Sequence, residues 1–112
     1  MGIRLTQTTA NPLVIAASGS TSNAISDISD ATHIAIYGPS ALDQTINVEV
    51  AHSLDSTATF YPLLSAGSNV TVTAAKATVI TVAGFVQIRV KTSTSTESAQ
   101  RTFTITKQID LR

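Results

Sequence analysis

The amino-acid sequence predicts an all-β domain: a single antiparallel β-sandwich of jelly-roll-like build, with seven to nine short strands and a polar N-terminal arm. Three observations lead there. Apolar and polar residues alternate with a period of two in one segment after another, which sends successive side chains to opposite faces of a sheet. Turn-forming Gly, Pro, Asn and Ser separate those segments at a spacing of roughly ten residues, the rhythm of a sandwich or small barrel. No stretch carries a convincing helical period, and 112 residues suit one domain with one ordinary core.

Taken in order, Ile3 and Leu5 alternate with Arg4 and Thr6, and Asn11-Pro12 ends that segment. Residues 1–12 therefore read as an N-terminal arm or first edge strand, and 13–112 as the sandwich. Leu13–Ala17 is a second apolar run, either core or edge strand. Ser18–Asn23 is flexible and turn-forming. Ala24–Asp30 spaces Ile25 and Ile28 for one helical turn, which is too short to stand as a helix. His33–Gly38 reads as a buried strand stopped by Pro39, which has no amide hydrogen to give a ladder. Ile46, Val48 and Val50 share one face of Thr45–His52. Thr59–Leu64 is held to an edge or a strand end by Pro62.

The stretch Asn69–Val90 is the richest in pattern: Val70 and Val72 alternate with threonines, Thr78–Val82 is β-branched, and Val86, Ile88 and Val90 alternate with Gln87, Arg89 and Lys91. It predicts two or three strands joined by short turns. Residues 92–100, TSTSTESAQ, form a mobile loop or a hairpin tip. Phe103, Ile105, Ile109 and Leu111 share one parity of the last strand. Lys107 interrupts that parity, and its commonest use there is to blunt an exposed edge, with snorkelling to the rim or a bulge as the other choices.

Composition narrows the function. Seven basic and seven acidic side chains cancel, which argues against a nucleic-acid binder working by broad phosphate neutralisation. Without Cys there is neither a disulfide nor a thiolate metal site. Only 12% of residues are charged while Ser and Thr supply 31 of the 112. Free soluble proteins carry about 25% charged residues, so the surface suits contact with another protein as well as it suits a Thr-rich β domain. No apolar run approaches the roughly 20 residues of a membrane span. The opening MGIRLTQTTANP lacks a signal-peptide core, so the expectation is an unprocessed product of a cytoplasm, without membrane association.

Chemistry is sparse. His33 and His52 lie at strand ends, in neither HxH nor HxxxH spacing, and no metal or other cofactor is expected. Of the seven carboxylates, Asp27, Asp30, Asp43, Asp55 and Glu97 fall in polar loops, where solvated carboxylates usually sit. There is no GxSxG elbow and no Gly-rich phosphate loop. No catalytic residue is assigned, and the chain is not expected to be an enzyme. Tyr37 and Tyr61 are the candidates for a sugar-stacking platform, although core or edge packing is the ordinary role of both. Arg89 and Lys91 share a strand face, with Arg101 as a possible third member of a small basic spot for protein contact.

Three passages follow one another in an order known from elsewhere: IAIYGPSALDQTINVEVAHS, FYPLLSAGSNVTVTAAKATVITV and FVQIRVKTSTSTESAQRTFTI. A strand ending in Tyr-Gly-Pro leads to a TINVEV strand, a Leu-Ser-x-Gly turn, a Val/Thr hairpin, a Phe-x-x-Ile-Arg-Val strand and a polar tip before Arg-Thr-Phe. This passage, about Ile34 to Thr106, resembles the small all-β virion proteins of tailed bacteriophages. It also resembles jelly-roll carbohydrate-binding or discoidin-like modules, which carry more aromatic residues at their loop tips. The phage resemblance implies a head decoration or cement protein on the capsid surface, bridging subunits of the major capsid protein. It implies a homo-oligomer as well, with a trimer favoured. Ile3, Arg4 and Leu5 in the arm, with Arg89, Lys91 and Arg101, are the expected partner contacts. Removing Gly2–Asn11 is then expected to weaken attachment without unfolding the sandwich. The rival is a tail, collar or fibre module that holds a host-surface glycan.

Overall fold

Alternation in the sequence becomes two facing antiparallel sheets in the computed structural model, which describes residues 4–111. The described strands are β1 (Arg4–Thr9), β2 (Leu13–Ile15), β3 (His33–Tyr37), β4 (Ile46–Ala51), β5 (Tyr61–Pro62), β6 (Leu64–Ser65), β7 (Ser68–Asn69), β8 (Thr71–Val72), β9 (Ala77–Thr81), β10 (Gln87–Thr92) and β11 (Arg101–Leu111). The count exceeds seven to nine because two ladders are broken into pieces. Asn11-Pro12 separates β1 from β2, although both pair the same side of β11. The segment around Pro62 divides in the same way, with β5 and β8 both pairing β4.

The first sheet runs β1/β2–β11–β3–β9. The second runs β10–β4 with β5 and β8 along the far side of β4. Thr21 and Ile25 bridge the free side of β10, opposite Lys91 and Ile88. The chain therefore passes from sheet to sheet: β1/β2 in the first, Thr21–Ile25 in the second, β3 in the first, β4 to β8 in and beside the second, β9 back in the first, β10 in the second and β11 in the first. Two four-membered sheets wound in this order are a jelly roll.

Neighbours in sequence are thus rarely neighbours in a ladder. The Val/Thr stretch expected as a hairpin is not one, because β8 and β9 belong to different sheets. The tight hairpin is β6–β7, where Ala66 (φ 53°) and Gly67 (φ 81°) both lie in the left-handed region, as a two-residue turn of the primed type demands.

The core lies between the sheets. Leu13, Ile15, Ile34, Ile36, Phe103 and Ile105 come from the first, and Ile46, Val48, Ile88 and Val90 from the second. Ile25 and Ile28 of the expected turn are buried with them, and the Ala31 N–H closes that turn on the Ile28 carbonyl at 3.0 Å. Among the described residues no helix is long and apolar enough to cross a membrane.

Candidate interaction surfaces

The two outward faces of the sandwich differ in kind. Register decides which side chains share the outer face of the first sheet, since cross-strand partners point the same way. On β11, Thr104, Thr106 and Gln108 face out, and β1 adds Gln7 and Thr9 beside them. His33, Ala35 and Tyr37 continue the surface on β3, and Ala77, Val79 and Thr81 complete it on β9. Across Thr104–Gln108, Gln7–Thr9, His33–Tyr37 and Ala77–Thr81 the outward positions hold no carboxylate, ammonium or guanidinium, and Asp110 takes the same register parity at the far end of β11. Those outward positions make a surface of methyls, hydroxyls, amides, one phenol and one imidazole. A shallow groove of ≈ 200 Å³ crosses it, bounded by Gln7, His33, Tyr37, Val79 and Gln108.

The outer face of the second sheet holds the charges. Glu49 and Arg89 are register partners, and Oε1 meets Nε at 2.8 Å. The Arg89 guanidinium lies 4.1 Å over the Phe60 ring, a cation–π contact. Lys91 on the same strand is exposed, opposite Asn47 and Thr21. His52 and Tyr61 stack beside this face, with centroids 6.4 Å apart and planes 25° apart.

Arg101 does not join Arg89 and Lys91. It opens β11 in the first sheet, and its side chain turns into a cluster with Glu97 and Asp43. Glu97 is wholly buried, contrary to the expectation that it is a solvated loop carboxylate. Its burial is tolerated because its oxygens are satisfied: they accept from the Asp43 N–H at 2.9 and 3.1 Å, the Gln44 N–H at 2.8 Å and Arg101 Nε at 2.7 Å. Its backbone pairs with Gly19 and Ser18 at 2.9 and 2.8 Å. One residue so pins three crossovers at one end of the sandwich, and the polar tip is anchored. Ser98 N–H and the Arg101 guanidinium, at 2.7 and 3.3 Å, reach Asp43. Hydrogen bonding from Ser98, with Arg101 behind it, holds the Asp43 carboxyl below its ordinary value. Directly after β3, Gly38 is required, since a Cβ there would stand 2.3 Å from the Thr73 carbonyl oxygen.

At the opposite end, Lys107 stands in the core parity of β11, and its ammonium reaches Asp30 at 2.9 Å and the Asp27 carbonyl. Hydrogen bonding from Lys107 lowers the Asp30 pKa. β11 lies between β1 and β3, so Lys107 blunts no edge and snorkels instead.

The remaining expected contacts lie near the N-terminus. Ile3 is outside the described residues. Arg4 and Leu5 are placed by their backbone, opposite Leu111 and Asp110 in the β1–β11 ladder. Tyr37 and Tyr61 are both exposed, at 43% and 53%, rather than packed in the core. Among the described residues no group of three or more His, Cys, Asp or Glu converges as metal ligands would.

No family model matches the chain, and no curated protein matches it. A solved structure with a similar chain is described as "Bacillus endospore appendages form a novel family of disulfide-linked pili". The two chains share 16% identity at a TM-score of 0.47, over 98% of this chain and 89% of that one.

Proposed function

We propose that this chain is a non-catalytic assembly protein: a rigid jelly roll that attaches to a larger protein shell and stabilises it by binding. The observation that carries the reading is the uncharged outward stretch of the β1/β2–β11–β3–β9 sheet, formed by Gln7, Thr9, Thr104, Thr106, Gln108 and the facing residues of β3 and β9. Surfaces meant for water are laced with charge, and the cores of protein interfaces are depleted of it. The opposite face, with Glu49, Arg89 and Lys91, is suited to solvent. Combined with the resemblance of residues 34–106 to phage virion proteins, the specific form of the proposal is a head decoration or cement protein. It bridges major capsid subunits, and a ligand that binds only the assembled shell makes disassembly harder by mass action. Co-sedimentation with mature shells lacking the protein tests this. Saturable binding with a raised shell melting temperature supports it, and absence of binding removes it.

A second reading is a glycan-binding module, favoured by the exposed Tyr37 ring beside the Gln7 and Gln108 amides and His33 in one groove, which Lys107 also lines. An aromatic face with planar amide donors suits a neutral sugar. No carboxylate is among the groove's lining residues. Binding on a glycan array, lost in Tyr37→Ala, would favour this reading over attachment to a shell.

A further inference from the structure

Among the described residues, strand β9 has a ladder partner on one side only, β3. The Val82 N–H donates to the Thr32 carbonyl at 2.9 Å, and the Gly38 N–H to the Lys76 carbonyl at 2.9 Å. These bracket the β3–β9 register of Ile36 with Thr78 and Ile34 with Ile80. Bonded and non-bonded pairs alternate in an antiparallel ladder. Thr78 and Ile80 therefore spend their backbone groups on β3, while Ala77, Val79 and Thr81 turn theirs to the open side. That side faces a groove of ≈ 480 Å³ whose other wall includes Leu63, Leu64 and Val70. Val79 and Leu64 are exposed there at 69% and 58%, the first and third most accessible large apolar side chains described.

An open edge of this kind is a template for another strand, and soluble proteins ordinarily blunt it with charge, proline or a bulge. Ala77–Thr81 has none of these. The second sheet's corresponding edge is cut into two-residue pieces with Pro62 in one of them, and β1 opens on Arg4.

We propose that β9 pairs with β9 of a second copy, antiparallel about a two-fold axis at Val79. The strand suits itself. Antiparallel pairing of one strand with its own copy is isologous and closes at two. Val79 then faces Val79, Ala77 faces Thr81, and the three outward residues of each copy exchange about six main-chain hydrogen bonds. No like charges meet, because the nearest charged residue, Lys76, falls opposite Val82 of the second copy. The same register joins the two first sheets edge to edge, so their neutral outer faces become one. The inference rests on the edge and not on the shell-attachment reading, and either can fail alone.

The experiment is light scattering on the full chain from micromolar to millimolar concentration, with amide hydrogen exchange at both ends of the range. The expected mass climbs from 11.7 kDa toward twice that. Exchange at Ala77, Val79 and Thr81 slows with concentration, while Thr78 and Ile80 stay protected throughout. Val79→Pro removes the central outward donor and no β3 bond, so the dimer weakens by about tenfold or more while circular dichroism stays native. Should that variant not fold, Val79→Lys decides, since it sets two ammonium groups face to face across the axis. A monomer at every concentration, a threefold mass, or a dimer unchanged in both variants overturns the proposal.

Discussion

Glu97 and Arg101 meet at 2.7 Å, Oε1 to Nε, where three sheet-to-sheet crossovers converge, and the carboxylate has no contact with water. Removing Glu97 leaves Arg101 with only its longer 3.3 Å contact to Asp43, and breaking a buried pair is costly. Glu97→Ala is therefore expected to cost about 3–5 kcal/mol, read as a lowered urea midpoint at unchanged slope. Because the Asp43 and Gln44 amides lose their acceptor in the same step, limited proteolysis should cut first within 40–44 and 93–100.

Acid should loosen both ends of the sandwich. Hydrogen bonding from Ser98 lowers the Asp43 pKa, and hydrogen bonding from Lys107 lowers that of Asp30, each from 3.8. A carboxyl with a depressed folded pKa contributes stability above its unfolded value and loses it as pH falls through the folded one. Melting temperature should thus be flat above pH 5 or so and fall below about pH 4. Asp43→Asn and Asp30→Asn should each flatten that descent, and an unchanged acid limb in both would remove these carboxylates from the account.

The two outer faces can be told apart by one charge on each. Thr104→Glu places a carboxylate in the neutral face, and Lys91→Glu reverses one on the charged face. Both side chains are exposed, so stability should stay within about 0.5 kcal/mol. Shell attachment should fall about tenfold or more for Thr104→Glu, since an unpaired charge is costly at an interface core, and change little for Lys91→Glu. The reverse order would move the contact to the basic spot of Arg89 and Lys91.

Removing the arm should do more than release a partner. β1 pairs β11 through six residue positions from Arg4 to Thr9. Deletion of Gly2–Thr9 would leave that length of β11 as an open edge. A melting temperature lowered by about 5 °C or more is expected, with aggregation on heating. If instead the deletion lost attachment at unchanged stability, the segment would be an arm after all.

The face a residue occupies was readable from the sequence; the strand it pairs with was not. Ile46, Val48, Phe103 and Ile105 alternate cleanly, and all are buried. Alternation assigns a side but is silent on register and neighbour, so Asn69–Val90 reads as strands joined by short turns while those strands divide between sheets. The neutral face was latent in the low charge density, and only the ladders gather its Thr, Gln and Ala into one surface. Glu97 was hidden by its context, since nothing inside TSTSTESAQ distinguishes a buried carboxylate from a wet one. Its clues lay outside the tract, in Arg101 four residues on and Asp43 far upstream. Lys107 misled because a lysine inside an apolar parity is commonest on an edge, and β11 is central.

The place of β11 also governs when the molecule can come into being. It is the last of the described strands along the chain, yet β1, β2 and β3 all wait for it. Pairings this distant in sequence close slowly, because loop entropy is spent before any contact rewards it. Until Arg101–Leu111 arrives, β1/β2 and β3 cannot be joined and Phe103 and Ile105 are missing from the core. The nascent chain therefore holds apolar, edge-bearing strands in waiting, and its most aggregation-exposed moment falls just before synthesis of this segment ends.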